Sequence, residues 1–169
     1  KDAKEASALV GQYKADRPLM RARVNAALKT LTSQPQTDAA RIGAIGYCFG
    51  GTTVLELARS GAPVRGVVSF HGGLNTPTPL DAKNIKAKVL VLHGADDPHV
   101  PKDEVATFEK EMNDGSVDWV LTAYSHAVHA FAVPSAGNDP SKGAAYNASA
   151  DRRSWQAMKD FFQEIFAQQ

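Results

Sequence analysis

The feature that most constrains this chain is a change in the period of its apolar residues. From Ile42 onward, short apolar runs alternate with amphipathic stretches: Ile42 to Ile45, Thr52 to Arg59, Val64 to Phe70, Val89 to His93, Glu104 to Met112, Val117 to Ala123 and Arg152 to Phe166. Brief apolar runs suit buried strands and the stretches between them suit helices. Such alternation builds βαβ units around a mostly parallel sheet flanked by helices. The last stretch predicts a helix with Trp155, Met158, Phe162 and Ile165 on one core-facing stripe. Ahead of the sheet, Lys1 to about Tyr13 favours helix, and a second helix begins near Pro18 with Met20, Val24, Ala27, Leu28 and Leu31 at helical spacing. These two helices read as scaffold. No repeat, low-complexity tract or linker divides the 169 residues, so 1–169 reads as a single α/β domain.

The segments that follow the strands hold most of the unusual residues: Cys48, His71 with Gly72-Gly73, Asp96-Asp97, and His126 with His129. Ligands of open α/β sheets bind at the carboxyl ends of the strands. The unusual residues are therefore expected along one edge.

Gly46-Tyr47-Cys48-Phe49-Gly50-Gly51 follows an apolar strand and leads into a helix. It has the form of a nucleophile elbow, Gly-x-nucleophile-x-Gly, with cysteine in the nucleophile position. A sharp strand-to-helix turn strains the nucleophile's backbone and crowds its neighbours, which calls for small residues two before and two after it. Cys48 would sit at the amino end of the following helix, where free N–H groups and the helix dipole favour a thiolate. The N–H of Phe49 would donate to an oxyanion. The alternative is a core cysteine in a tight glycine turn.

After the run Val89 to Leu92 comes His93-Gly94-Ala95-Asp96-Asp97-Pro98-His99-Val100-Pro101, where a carboxylate could orient a histidine. Asp96 and Asp97 also suit a turn before Pro98. After Val117 to Ala123 lies Tyr124-Ser125-His126-Ala127-Val128-His129-Ala130-Phe131, and His126 and His129 compete for the role of base. The order nucleophile, acid, histidine is that of the α/β-hydrolases.

Nineteen basic and eighteen acidic side chains leave a net charge of +1, so no one-signed field invites nucleic acid or an anionic membrane, and a small molecule is the expected partner. A single cysteine excludes an internal disulfide, a zinc site built on paired cysteines, and a redox role that needs a resolving thiol. No apolar run approaches the roughly 18–20 residues that span a bilayer, and the charged start Lys1-Asp2-Ala3-Lys4-Glu5 is no secretory signal. The expected compartment is the cytoplasm, with the periplasm left open because the chain begins at Lys1 rather than Met.

On these motifs the sequence resembles the dienelactone hydrolase family, whose members carry a Gly-x-Cys-x-Gly-Gly elbow, a Gly-x-x-Asp-x-x-Val-Pro acid loop and a His-Ala-Phe segment. Here they stand at Gly46 to Gly51, Gly94 to Pro101 and His129-Ala130-Phe131. The register selects Asp97 and His129. The resemblance implies an α/β-hydrolase fold and hydrolysis of an ester or lactone through a thioester on Cys48, with His129 as base and Asp97 as its orienting acid. No cofactor or metal is implied. Tyr47, His71 and Phe131 are expected to line the pocket.

The sequence departs from the family in two ways. Members that accept carboxylate-bearing lactones have an arginine four residues after the histidine, where this chain has Val133. The elbow also follows the first clear strand rather than the fifth of eight, so the resemblance implies that the front strands are lacking. Those strands would carry the second oxyanion donor and the glutamate that pairs with the thiol. The first strand is then expected to be an exposed apolar edge, to be covered by the missing front segment or by a second copy of the chain. A competing reading is a truncated or degenerate hydrolase that serves as a non-catalytic interaction module.

Overall fold

The computed structural model describes residues 2–167. Two helices come first, Ala3–Ala15 (α1) and Arg17–Thr32 (α2). Asp16 alone separates them, and its side chain accepts the Leu19 N–H at 2.9 Å while Pro18 occupies the first turn of α2. Four strands follow: Gly43–Tyr47 (β1), Gly66–Phe70 (β2), Lys88–Gly94 (β3) and Trp119–Tyr124 (β4). They form one parallel sheet in sequence order. Phe49–Arg59 (α3) links β1 to β2, a 3₁₀ turn at Pro79–Asn84 lies between β2 and β3, Lys102–Asp114 (α4) links β3 to β4, and Ala148–Ala167 (α5) closes the chain.

Successive right-handed crossovers that step in one direction place their helices on one face of the sheet, and the core divides to match. Val67, Val89 and Val91 point toward α3 and α4, where they meet Leu55, Phe108 and Met112. Their alternates Val68, Phe70, Leu90 and Leu92 point the other way, toward Phe131 and Met158. Both faces of β2 and β3 are covered, which explains their nearly continuous apolar runs. β1 has a partner on one side only among the described residues. Its Ile45 and Tyr47 are 45% and 37% exposed.

Two predicted stripes hold in part. In α5, Ala150, Ser154, Met158 and Ile165 are buried and Phe162 packs against the core, but Trp155 is exposed, because Ser154 takes the inward place at that turn. In α2, Met20 is buried and Val24 and Leu28 pack against the core, but Ala27 and Leu31 face outward. Among the described residues, no helix is long and apolar enough to cross a membrane.

A line of charges runs beneath the helices. Fully buried Arg59 donates from Nε and Nη2 to the two oxygens of Glu111, each at 2.7 Å, and from Nη1 to buried Glu56 at 3.0 Å. Glu56 in turn accepts from Arg21 at 2.7 Å, and Arg21 reaches Asp81 at 2.6 Å. One connected set of hydrogen-bonded charges thereby fastens α2, α3, α4 and the 79–84 turn. Removing one member leaves another charged and dry. Glu111→Leu is therefore expected to cost about 3–5 kcal/mol in urea unfolding. A loss under about 1 kcal/mol would mean that water reaches Arg59 and the ion pair is of surface type.

Candidate active site

Because β1 ends at Tyr47 and α3 begins at Phe49, Cys48 alone makes the turn between them, with φ 53° and ψ −119°. This is a costly conformation for any residue with a Cβ, and the surroundings hold it. The Cys48 N–H donates to the Phe70 carbonyl at 3.0 Å, and the Cys48 carbonyl accepts from the Gly51 N–H at 3.0 Å, the first bond of the helix. A Cβ on Gly46 would fall on the Gly50 carbonyl, and one on Gly51 would come within 3.0 Å of the Gly72 Cα. Around Gly50 there is open space. The need for a small residue after the nucleophile thus falls on Gly51 rather than Gly50, because Gly51 is the one packed against the 72–73 backbone.

His129 Nε2 lies 3.1 Å from Cys48 Sγ, and His129 Nδ1 lies 2.9 Å from Asp97 Oδ2. Asp97 is buried, and its other oxygen accepts the His99 N–H at 2.8 Å. The histidine is clamped from a distant part of its own loop: its N–H donates to the Gly143 carbonyl at 3.2 Å and its carbonyl accepts the Ala145 N–H at 3.0 Å. The alternatives Asp96 and His126 stand apart as an exposed pair, 4.0 Å from each other. Cys48, His129 and Asp97 are thus brought together in a line, and Asp96 and His126 are not.

The charges in this line reinforce one another. The hydrogen bond from His129 holds the Cys48 thiol below its usual range. Partial burial opposes that shift, while the His129 charge, the Phe49 N–H and Lys14 add to it. Asp97 first, then Cys48, raise His129 to about 9. Both shifts favour a thiolate–imidazolium pair, whose protons titrate as a unit.

The sulfur opens into a cavity of about 440 Å³ lined on one side by Cys48, Phe49, Thr52, His99 and His129. The other wall is α1, through Ala6, Ser7, Val10, Gly11 and Lys14, a single stripe at i, i+4 spacing. α1 is therefore part of the site rather than scaffold, and Lys14 brings a cation to it. Tyr47, His71 and Phe131 do not line this cavity. Tyr47 stacks on Phe70 at 4.4 Å between ring centroids, and His71 and Phe131 are buried beneath the site. His71 packs against both His129 and Phe131, whereas Tyr47 stays partly exposed on the β1 edge. Among the described residues, no group of three His, Cys, Asp or Glu side chains could hold a metal ion.

The sequence matches the dienelactone hydrolase family over residues 1–166. The chain belongs to that family. It is 39% identical over 154 residues to an uncharacterized protein of Caenorhabditis elegans, covering 88% of this chain and 95% of that one. It is 35% identical over 117 residues to a probable 2-oxo-3-(5-oxofuran-2-ylidene)propanoate lactonase of Bradyrhizobium, covering 64% of this chain and 47% of that one. Among solved structures, the dienelactone hydrolase-like promiscuous phosphotriesterase P91 from metagenomic libraries superposes with a TM-score of 0.89 at 44% identity. That match covers 97% of this chain and 69% of P91. The fold is that of the α/β-hydrolases, and the four parallel strands correspond to part of it. The chain spans about half the length of the curated bacterial relatives it matches.

The titration has a definite sign. The raised pKa of His129 means that its imidazolium is complete below about 6.5 and is lost as pH rises through about 9. The thiolate forms as pH rises through a value below 9.0. Alkylation of Cys48 by iodoacetamide should therefore titrate with a midpoint below 9.0, and His129→Ala should move that midpoint up. A midpoint indifferent to His129 would break the pairing.

Proposed function

We propose that this chain carries the nucleophile, base and acid of a hydrolase that cleaves a small ester or lactone through an acyl-cysteine intermediate. The observation that carries the reading is the continuous line from Asp97 Oδ2 through His129 to Cys48 Sγ, with contacts of 2.9 and 3.1 Å, at the mouth of an open cavity. Membership of the dienelactone hydrolase family and a relative named as a lactonase point to the substrate class.

In the first half-reaction the Cys48 thiolate attacks the carbonyl carbon, and the carbonyl π electrons move onto oxygen. The Phe49 N–H, already directed at the sulfur, is placed to donate to that oxyanion. Collapse breaks the acyl C–O bond, and the departing alkoxide takes the proton from His129; in a lactone the alcohol stays tethered to the acyl group. In the second half-reaction His129 removes a proton from water as the water attacks the thioester. Collapse expels the thiolate and restores the ion pair. Asp97 keeps Nδ1 protonated and Nε2 turned to the sulfur throughout.

A second reading, a non-catalytic interaction module, draws on the unpaired β1 edge with exposed Ile45 and Tyr47. It predicts self-association without turnover. The two separate cleanly when the purified protein is given p-nitrophenyl acetate and a butenolide. The hydrolase reading expects an acetyl adduct on Cys48 by mass spectrometry and at least about a thousandfold loss of turnover in Cys48→Ala. Turnover that survives Cys48→Ala overturns it.

A further inference from the structure

One buried side chain touches both ends of the catalytic pair, and the chemistry above does not use it. His71 follows the last residue of β2, is 1% exposed and has φ 40°. Its backbone N–H donates to the Leu92 carbonyl at 2.9 Å, which ties it to β3. Its side-chain Nδ1 accepts the Cys48 N–H at 3.2 Å, sharing that donor with the Phe70 carbonyl. The same ring stands edge-on to His129, with centroids 5.3 Å apart, and to Phe131 at 5.1 Å. Nε2 is buried and has no hydrogen-bond partner among the described residues.

Since Nδ1 accepts, the proton of the neutral ring resides on Nε2, and that donor is the orphan. A phenylalanine would fill the slot without burying an unpaired donor, so packing alone gives no reason for an imidazole here. What the imidazole adds is a lone pair aimed at the backbone N–H of the positive-φ residue that makes the elbow turn.

We propose that His71 is a positioning residue for the nucleophile: its Nδ1 steadies the Cys48 turn that aims the sulfur, while its ring sets where His129 stands. The inference rests on Cys48 and His129 acting as the pair described above. The groups that face His71 are Cys48 and Tyr47 from the elbow, His129 and Phe131 from the loop after β4, and Asp97 from the loop after β3. Burial, then the charge of His129, hold the His71 pKa down to about 4, so the lone pair stays available over the range in which the pair works. Protonation would set two N–H groups face to face.

Two substitutions separate positioning from packing. His71→Phe removes both the acceptor and the orphan donor; His71→Asn tolerates the positive φ and offers an oxygen acceptor. In His71→Phe the alkylation of Cys48 at pH 7 should slow by about tenfold and its midpoint should rise by about one pH unit, with no fall in the thermal unfolding midpoint. His71→Asn should recover most of that rate. A Phe variant with wild-type alkylation, or an Asn variant no better than Phe, overturns the inference. Nitrogen-15 spectra of the unaltered protein give a test independent of either variant: Nδ1 of His71 must be unprotonated at pH 7, and a proton there refutes the role. Alkylation reads the thiol whether or not an ester is turned over, so failure of the hydrolase reading and failure of this one are distinguishable.

Discussion

Everything that the site can do depends on holding one residue in a conformation that it would not adopt alone. Cys48 turns the chain from β1 into α3 by itself, and an isolated peptide would relax that φ and ψ at once. Three features prevent this. Gly46 and Gly51 allow the strand and helix to approach closely: the Gly50–Gly51 backbone fills the place of a side chain on Gly46, and Ser69 and Gly72 fill that on Gly51. The sheet supplies the Phe70 carbonyl to the Cys48 N–H. Finally, the first turn of α3 takes up the Cys48 carbonyl, so that relaxing the turn would also unwind the helix.

The strain at Cys48 needs a rigid frame to resist it, and α3 is fixed at both ends. At its amino end the elbow packs against the 72–73 backbone. At its carboxyl end Glu56 and Arg59 are buried in the charge network with Glu111 and Arg21. A hydrophobic contact can slide, whereas a bidentate guanidinium–carboxylate pair fixes both distance and direction. Arg59 also donates to the Leu74 carbonyl at 2.9 Å, which extends the constraint to the segment just beyond His71.

Much of this was legible in the sequence, for reasons that differ by element. The strands could be read because β2 and β3 are covered on both faces and so have almost no polar interruption. The meeting of Cys48, Asp97 and His129 could be read because each follows its own strand, and strand order fixes which loops are neighbours. Other features had no local signal. Glu56, Arg59 and Glu111 look like the solvent face of ordinary helices until tertiary contact brings them together. The stripe of Ala6, Ser7, Val10, Gly11 and Lys14 is too weakly apolar to suggest a ligand-facing wall. The choice between Gly50 and Gly51 turns on the path of the 72–73 backbone, which lies some twenty residues away. Trp155 misled because a large aromatic dominates a helical stripe, although here the smaller Ser154 takes the buried place.

The two walls of the cavity come from different kinds of structure. The wall with Cys48, His99 and His129 is built from segments at the ends of a hydrogen-bonded sheet, where a shift of one strand would disturb its neighbours. The wall opposite is one helix, α1, joined to the next by a single residue and mostly exposed along its length. Its inward residues can be exchanged without moving the sheet. The two walls are therefore mechanically separate: side chains along α1 can change in length and bulk while the sheet that holds Cys48, Asp97 and His129 keeps its register, Lys14 excepted, because its charge reaches the thiol.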